Sequence, residues 1–344
     1  KRQSIFIKDI DNTLIKKERI IMEEKQLTVY DTLILKYQSI LNAELNMENY
    51  DTAKEILSTI ENIQKLKRGN NPEWENDELE KDVLRYLNNN DRCADLDKVN
   101  LSATSINTYH DCPLKYKYRY IDQIPGAPEP SHFKLGHVVH KVLELYHQKE
   151  YSNLDDMLAL LDDNWEEGGY QFNQEKEQYR EDAEIMLKNY YHFIQKNPEM
   201  TLEVEKTFHF ETDYAKLHGK CDRIDMDSEG RISIIDYKTS KSMKSKRELK
   251  KDVQMGIYAL YAVLHGIDMH NGERVQQNPS KLSNIFVRFE DPEVAVQLSE
   301  EELDVFEENI RNTADEIAKR KFEANKGRHC EFCDYKNLIC PEFG

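Results

Sequence analysis

Two aspartates on neighbouring predicted strands could hold a divalent cation between them. Residues 230–239 carry apolar side chains on both faces and include Asp236, which predicts a strand buried at the centre of a sheet. Residues 217–226 precede them, include Asp222 and lead into an Asp/Ser/Gly-rich turn typical of a β-hairpin. A turn centred on Glu229 places Asp222 opposite Asp236, with Cβ atoms about 4.5–5.5 Å apart. Two buried carboxylates this close repel each other, and a cation bound between them makes the total electrostatic interaction attractive.

A lysine and a basic run follow the second aspartate directly. Lys238 is two residues after Asp236, so both side chains leave the same face of the strand. Residues 238–251 contain seven Lys or Arg against one acid. Such a run is often a solvated loop, but its position after an acidic strand end favours phosphate binding. The candidate binding residues within it are Lys241, Lys244, Lys246 and Arg247.

The composition sets limits on the class of protein. The chain has 344 residues and a formal net charge of −17, and its length allows two domains. The acidic total argues mildly against nucleic acid as a partner, although local charge matters more than the sum. No apolar run approaches the roughly 18 residues of a membrane span, and no secretory signal is visible. We therefore expect no membrane association and a cytoplasmic location.

The first 98 residues are predicted to be a helical linker or accessory segment. Residues 25–45 and 49–66 have helical apolar spacing and could pair antiparallel, and residues 73–87 form a third, acidic helix. A second domain is predicted over residues 99–344.

Two further predicted helices carry polar residues on one side. The first of these helices is predicted to begin at Gly136. One side of it carries His137, His140, Glu144 and His147. This could be an ordinary polar face or a zinc site of its own, but His140 gains weight from the acidic hairpin downstream. The second helix, residues 248–264, carries Gln254 and Tyr258 four residues apart and hence on one face. A capping box at Ser299 and Glu302 predicts a last helix to about residue 322.

Bases alternate with aromatics shortly after Cys112-Pro113. Tyr116 and Lys117 belong to this stretch, residues 115–120. Such a pattern could stack on and neutralise a nucleic-acid strand. The tyrosines could equally belong to the hydrophobic core.

The six cysteines are too few for a disulfide framework in a chain of this length. Cys330, Cys333 and Cys340 are close in sequence and need a fourth ligand. A zinc site would take it from a cysteine, or from His329 or His110. An iron–sulfur cluster would take the distant thiol of Cys112. Spacing alone does not decide between these sites, and the remaining cysteines, Cys93 and Cys221, are predicted to be free thiols.

Together these motifs resemble the nuclease domain of the RecB/AddB branch of the PD-(D/E)XK superfamily, over roughly residues 99–344. The matching motifs are Cys112-Pro113-x-x-Tyr116, Gly136-x-x-x-His140-x-x-Leu143-Glu144, Gly219-x-x-Asp222-Arg223-Ile224-Asp225, Ile235-Asp236-Tyr237-Lys238-Thr239, Gln254-x-x-x-Tyr258 and the terminal three cysteines. No proline precedes Asp222, a common departure in this branch.

The resemblance implies an α/β fold with a mixed central sheet flanked by helices, preceded here by the N-terminal helical segment. It implies that His140, Asp222, Asp236 and the Tyr237 backbone carbonyl bind Mg²⁺ or Mn²⁺, and that Lys238 positions water or stabilises phosphorane charge. Gln254, Tyr258 and Glu144 would support the site. Cys112, Cys330, Cys333 and Cys340 would hold a [4Fe–4S] cluster, with zinc as the alternative.

The implied function is metal-dependent hydrolysis of DNA, acting on single-stranded ends in recombination or repair. Residues 3–10 faintly resemble the segment after the last motif of UvrD/Rep-type helicases. The chain is therefore expected to be the C-terminal part of a helicase–nuclease, or to work with a separate helicase. The alternatives are a CRISPR-associated nuclease of the same superfamily and a catalytically silent fold that only binds DNA.

Overall fold

A computed structural model describes residues 28–90, 98–124, 126, 131–149, 151–165, 173–269, 272–336 and 339–343. The helicase-like residues 3–10 and Cys93 fall outside these ranges. No helix within them combines the length and the apolar character needed to cross a membrane.

The helices and strands of the described ranges follow in chain order. The helices are α1 (Val29–Asn46), α2 (Tyr50–Lys67), α3 (Asp77–Asn90), α4 (Ala103–Asp111), α5 (Pro113–Tyr116), α6 (Ser131–Gln148), α7 (Leu154–Asn164), α8 (Asn173–Lys196), α9 (Lys246–Leu249), α10 (Val253–Leu260) and α11 (Glu300–Ala318). The strands are β1 (Val99–Leu101), β2 (Met200–Glu211), β3 (Ala215–Met226), β4 (Ile232–Lys238), β5 (Ile267–Asp268), β6 (Arg274–Val275), β7 (Lys281–Phe286) and β8 (Glu293–Val296). Wider, π-helical turns extend α5 through Lys117–Ile121 and α10 through Tyr261–His265.

The chain forms two compact units. The smaller consists of the described parts of residues 1–94, 111–127 and 322–344, and the larger of those of 95–110 and 128–321. Two segments of the predicted second domain thus group with the N-terminal helices. The domain boundary near residue 98 stays a prediction.

Helices α1–α3 of the smaller unit share an apolar core, as their periodicity predicts. Its fully buried members are Leu33, Tyr37, Ile56, Ile60, Ile63 and Val83. Helix α3 begins at Asp77 rather than at residue 73. The reason is local, because the Asn76 side chain accepts a hydrogen bond from the Leu79 backbone N–H at 3.1 Å and so caps the first turn.

A six-stranded mixed sheet forms the centre of the larger unit. Its order is β1-β3-β4-β7-β8, and β2 pairs with β3 as well. Strand β4 is antiparallel to β3 and parallel to β7, which in turn is antiparallel to β8. The central position predicted for residues 230–239 is therefore confirmed, and every residue of β4 before Lys238 is buried.

The hairpin register agrees with the prediction from the turn. Arg223 lies opposite Ile235 and Ile224 opposite Ile234 in the antiparallel ladder. At the turn, the Asp227 backbone N–H donates to the Arg231 carbonyl at 3.1 Å. Because side chains alternate along each strand, this register sends Asp222 and Asp236 to the same face.

Helices cover both faces of the sheet, which confirms the predicted fold class. Ile235 and Tyr237 pack into a core formed with α6, α7 and α8. The intervening residue, Asp236, points the other way, where the Tyr258 hydroxyl of α10 lies 3.3 Å from its Oδ1. Strand β4 thus connects a hydrophobic core with a polar site.

Three helix boundaries of the larger unit also differ from those predicted. Helix α6 begins at Ser131, ahead of Gly136. The helix predicted over residues 248–264 is interrupted, since Asp252 caps a new helix by accepting from the Gln254 N–H at 2.9 Å. Helix α11 has the predicted capping box but ends at Ala318, just before Arg320 adopts a φ of 57°.

Candidate active site

The two predicted acids lie where strands β3 and β4 separate. Their ladder ends at the pair Arg223 and Ile235, one residue before both aspartates. Beyond that point the Asp222 carboxylate accepts a hydrogen bond from the Tyr237 backbone N–H at 2.6 Å. The carboxylate thus occupies the opening between the strands and holds the two strand ends together.

Three ligating side chains converge at this opening. His140 of α6 places Nδ1 3.5 Å from Asp222 Oδ2. With Glu205 of β2, their ligand atoms all lie within 4.8 Å of one another, the one such group found among the described residues. Burial opposes protonation of His140, but the neighbouring carboxylates, Asp222 first, outweigh it and raise the imidazole pKa. The arrangement attracts positive charge, whether a proton or a metal ion.

Sequence reasoning missed Glu205. The β2–β3 ladder pairs Val204 with Arg223 and Lys206 with Cys221, so Glu205 lies opposite Asp222. Its φ of 52° is unusual for a residue with a side chain, and such strain occurs preferentially at functional sites. The available signal was an acid on the strand before the hairpin. It could not be used because β2 contains a bulge near residue 202, which hides the register.

The second aspartate lies deeper than the first. Asp236 is 3 % exposed, and burial raises its pKa although Lys238 acts against this. The Lys238 ammonium is 2.5 Å from Asp236 Oδ2. Burial works against that ammonium, yet Asp236 outweighs it and raises the lysine pKa. Lys238 is therefore a cation at neutral pH.

Gln254 and Tyr258 connect the lysine to strand β3. The Lys238 ammonium donates to Gln254 Oε1 at 3.1 Å, and the Gln254 amide donates to the Tyr258 hydroxyl at 2.7 Å. That hydroxyl lies 2.6 Å from the Lys220 backbone carbonyl of β3. Helix α10 thereby fixes the lysine and one side of the opening.

The ligand cluster and Lys238 line an open cleft of ≈ 920 Å³. Glu144 lies in its wall beside Lys141, whose ammonium is 2.9 Å from the carboxylate. The cationic side chains that line the cleft are Lys141, Lys220, Lys238, Lys241 and Arg288. Four of these cations are paired with carboxylates: Lys141 with Glu144, Lys220 with Glu205, Lys238 with Asp236 and Arg288 with Asp182. The cleft is therefore lined by alternating charges rather than by an excess of one sign.

Comparison with known proteins agrees with this geometry. A sequence profile described as the PD-(D/E)XK nuclease superfamily matches residues 100–341, well over half of the chain. The chain belongs to the PD-(D/E)XK nuclease superfamily. Members of this superfamily use divalent metals, and the imidazole and carboxylate cluster offers a fitting donor set.

Two individual proteins show weaker similarity to this superfamily member. An ATP-dependent helicase/deoxyribonuclease subunit from Streptococcus uberis (strain ATCC BAA-854 / 0140J) is 28% identical over 164 residues. The matched part covers 42% of this chain but only 14% of that protein. The crystal structure of a protein from Eubacterium rectale, described as an exonuclease, has a TM-score of 0.44 at 13% identity, covering 72% of this chain and 91% of that one.

The basic run of this PD-(D/E)XK protein is only partly a loop. Lys244 forms an ion pair with Asp252, and Lys250 is 2.8 Å from a Glu302 carboxylate oxygen. Lys246 and Arg247 belong to the short helix α9. Lys241 alone among the four candidate residues lines the cleft.

The basic-aromatic segment is less exposed than a stacking surface requires. Tyr116 is 2 % exposed and its ring lies 6.3 Å from that of Phe322. Lys117 is 2.6 Å from the buried Asp122 carboxylate. Tyr116 therefore belongs to the hydrophobic core, and its prediction as a direct DNA-binding residue is wrong.

A buried polar network supports the other side of β4. Tyr190 places its hydroxyl 2.9 Å from that of Tyr237 and also contacts the Arg223 guanidinium. Arg223 is 2.7 Å from the Asp225 carboxylate and donates to His147 Nε2 at 2.7 Å. His147 thus belongs to this network rather than to the ligand cluster. The network fixes the residue between Asp236 and Lys238.

This network predicts acid sensitivity. Burial, followed by the adjacent Arg223, lowers the pKa of His147 to about 3, against about 6.5 in an unfolded chain. The unfolded state therefore binds the extra proton, and stability present above pH 6.5 is lost as the pH falls toward 3. In urea unfolding between pH 7.5 and 4.5, His147→Gln should flatten the pH slope by up to about 1.4 kcal/mol per pH unit. Equal slopes for wild type, His147→Gln and the control His192→Gln, an exposed residue of α8, would contradict the assignment.

The four predicted cluster cysteines lie together in the smaller unit. Cys112, Cys330, Cys333 and Cys340 line one small cavity, of ≈ 20 Å³. His329 lines it too, whereas His110 is 2.9 Å from the Thr313 hydroxyl in the larger unit. Cys221 is a fully buried free thiol on the face of β3 opposite Asp222, as a packing role requires.

Proposed function

We propose that this protein is a metal-dependent deoxyribonuclease that hydrolyses phosphodiester bonds in single-stranded DNA ends. One observation carries the proposal: His140, Glu205 and Asp222 form a ligand cluster next to the Asp236–Lys238 pair, and the cluster and Lys238 line one open cleft. Neither a silent DNA-binding fold nor a simple ion-pair network needs all five of these side chains at one opening.

The residues fit Mg²⁺ or Mn²⁺. Asp222, Glu205 and Asp236 supply the carboxylate oxygens that hard divalent ions prefer, and His140 supplies one nitrogen. The Tyr237 backbone carbonyl is proposed as a further ligand. A bound ion would neutralise charge on the scissile phosphate and lower the pKa of a bound water.

The chain's own residues would do the rest. Lys238, charged at neutral pH, would orient the attacking water and stabilise charge on the phosphorane rather than act as a base. Gln254 and Tyr258 hold Lys238 in place. Glu144 would support the cleft wall through Lys141.

The strand preference and the helicase are part of the same proposal. The helicase/deoxyribonuclease protein of Streptococcus uberis supports a role in recombination or repair beside a helicase, although this chain spans about a seventh of its length. End-labelled single strands, duplexes and RNA, each with Mg²⁺, Mn²⁺ or EDTA, give the direct test. Absence of metal-dependent cleavage of any substrate, despite tight DNA binding, would favour the silent fold.

We further propose that the four cysteines hold a [4Fe–4S] cluster rather than zinc. Cys112, Cys330, Cys333 and Cys340 line one cavity of the smaller unit. Their order along the chain resembles that of the cluster-bearing nucleases of this superfamily, and this resemblance is the reason for proposing the cluster. Iron, sulfide and zinc analysis distinguishes the two groups.

The basic run is expected to contact DNA phosphates. Replacing Lys241, Lys246 and Arg247 together with alanine should weaken single-strand binding and reduce its salt dependence. Each lost phosphate contact lowers the log–log slope by about 0.7. Fluorescence anisotropy across a salt series measures this, with Lys319 and Lys321 at the end of α11 replaced as a surface-charge control. A slope equal to that of wild type would identify the run as a solvated segment.

A further inference from the structure

The Lys220 ammonium pairs with a carboxylate that a metal ion at the ligand cluster would need. Its ammonium forms an ion pair with Glu205, whose side chain is 13% exposed. The same Glu205 carboxylate belongs to the ligand cluster with His140 and Asp222. The lysine thus neutralises an otherwise poorly solvated acid at the mouth of the cluster.

A cation at the cluster and the Lys220 ammonium would compete for Glu205. Both are positive, and a carboxylate oriented toward a divalent ion leaves little attraction for an ammonium a few ångströms away. Only the side chain needs to move, because the Lys220 carbonyl is held by the Tyr258 hydroxyl at 2.6 Å. Four flexible methylenes allow such a movement.

The cleft offers the displaced ammonium a new partner. The Lys220 side chain is 54% exposed and lines the cleft together with Lys141, Lys241 and Arg288. An anionic strand in the cleft would pass between these cations. A released lysine would therefore add one phosphate contact close to the ligand cluster.

We propose that Lys220 is an exchangeable counter-ion: it neutralises Glu205 before the metal binds, and then turns to a phosphate of the bound strand. The inference rests on the proposed metal-dependent nuclease function. It goes further by making metal binding and strand binding favour each other through one side chain.

Calorimetry with Mn²⁺ on the full chain tests the first half. Lys220→Met keeps the length of the side chain and removes its charge. The Mn²⁺ Kd should fall by about two- to fivefold, the range that a partly exposed ion pair contributes to an equilibrium. Lys216→Met, four residues away on the same strand β3 and exposed, should leave the Kd unchanged.

Binding of a fluorescent single-stranded oligonucleotide tests the second half. Both the parent and the Lys220→Met protein carry Lys238→Ala in this experiment, so that the oligonucleotide is not cleaved. Adding Mn²⁺ should tighten oligonucleotide binding. With Mn²⁺ present, Lys220→Met should bind the oligonucleotide about threefold more weakly than its parent. The same variant should lower the slope of log affinity against log salt concentration by about 0.7. Without Mn²⁺ the variant should bind like its parent.

The outcomes separate the two proposals. Unchanged or weaker Mn²⁺ binding by Lys220→Met, in a protein that still cleaves DNA, overturns the counter-ion exchange alone. If Lys220→Met binds Mn²⁺ more tightly but Mn²⁺ still increases its oligonucleotide affinity as much as in the parent, the phosphate contact is overturned. A wild-type chain that neither binds Mn²⁺ nor cleaves overturns the proposed metal site, and the exchange with it.

Discussion

Asp236→Ala is expected to lower the rate of metal-dependent cleavage by at least about a thousandfold. The substitution removes a proposed ligand and the partner of Lys238 at once. A catalytic metal contributes several kcal/mol to the transition state, and each 1.4 kcal/mol or so is a factor of ten in rate. Single-turnover cleavage of an end-labelled strand measures the change directly.

The same variant should remain folded. Loss of Asp236 leaves the Lys238 ammonium unpaired but relieves the repulsion between Asp236 and Asp222, and these two effects oppose each other. DNA binding without metal should survive, because the cations of the cleft remain. Glu229→Ala in the hairpin turn is the matched control, an acid lost from the same hairpin at an exposed position. Cleavage by Asp236→Ala at near wild-type rate would refute the site.

Cys112→Ser is expected to abolish the proposed iron–sulfur centre and destabilise the smaller unit. Cys112 and Cys330 lie about 218 residues apart in sequence yet line one cavity. A group bound to both closes that long loop. By the chain-entropy estimate for cross-links this contributes on the order of 5 kcal/mol, an upper bound.

Anaerobic purification with iron, sulfide and zinc analysis, followed by thermal unfolding, provides the measurement. Cys221→Ala is the control, because it removes a buried thiol of the sheet and should keep full iron content. One zinc without sulfide would contradict the cluster but retain a metal link. A complete cluster in Cys112→Ser would contradict the role of Cys112 itself.

The parts of the site that could be predicted are those set by local rules. A recognisable turn fixed the register of one hairpin, and with it the common face of Asp222 and Asp236. Helical spacing similarly placed Gln254 beside Tyr258. In both cases the interacting residues are close in sequence, so turn chemistry and periodicity carry the information.

What could not be predicted depends on irregular or distant structure. Glu205 reaches the cluster from a bulged strand at positive φ, which no periodic pattern encodes. The position of Asn284 beside Asp236 could not be predicted either. Asn284 is fully buried on β7 and pairs with Asp236, but parallel strands are not joined by a turn whose sequence would reveal the register. The sequence left open whether Tyr116 stacks on a nucleic-acid strand or belongs to the core, because its burial depends on a partner more than 200 residues away.

The discontinuity of the smaller unit sets the order in which the protein can mature during synthesis. Its second segment leaves the ribosome with Cys112, but its last segment, with Cys330, Cys333 and Cys340, is made about 218 residues later. At about 5–20 residues per second that delay is roughly 10–40 s. Most of the larger unit, residues 128–321, is synthesised during that delay. The four-thiol cavity forms only after the larger unit has been synthesised, and only a chain translated through Cys340 can take up the proposed cluster.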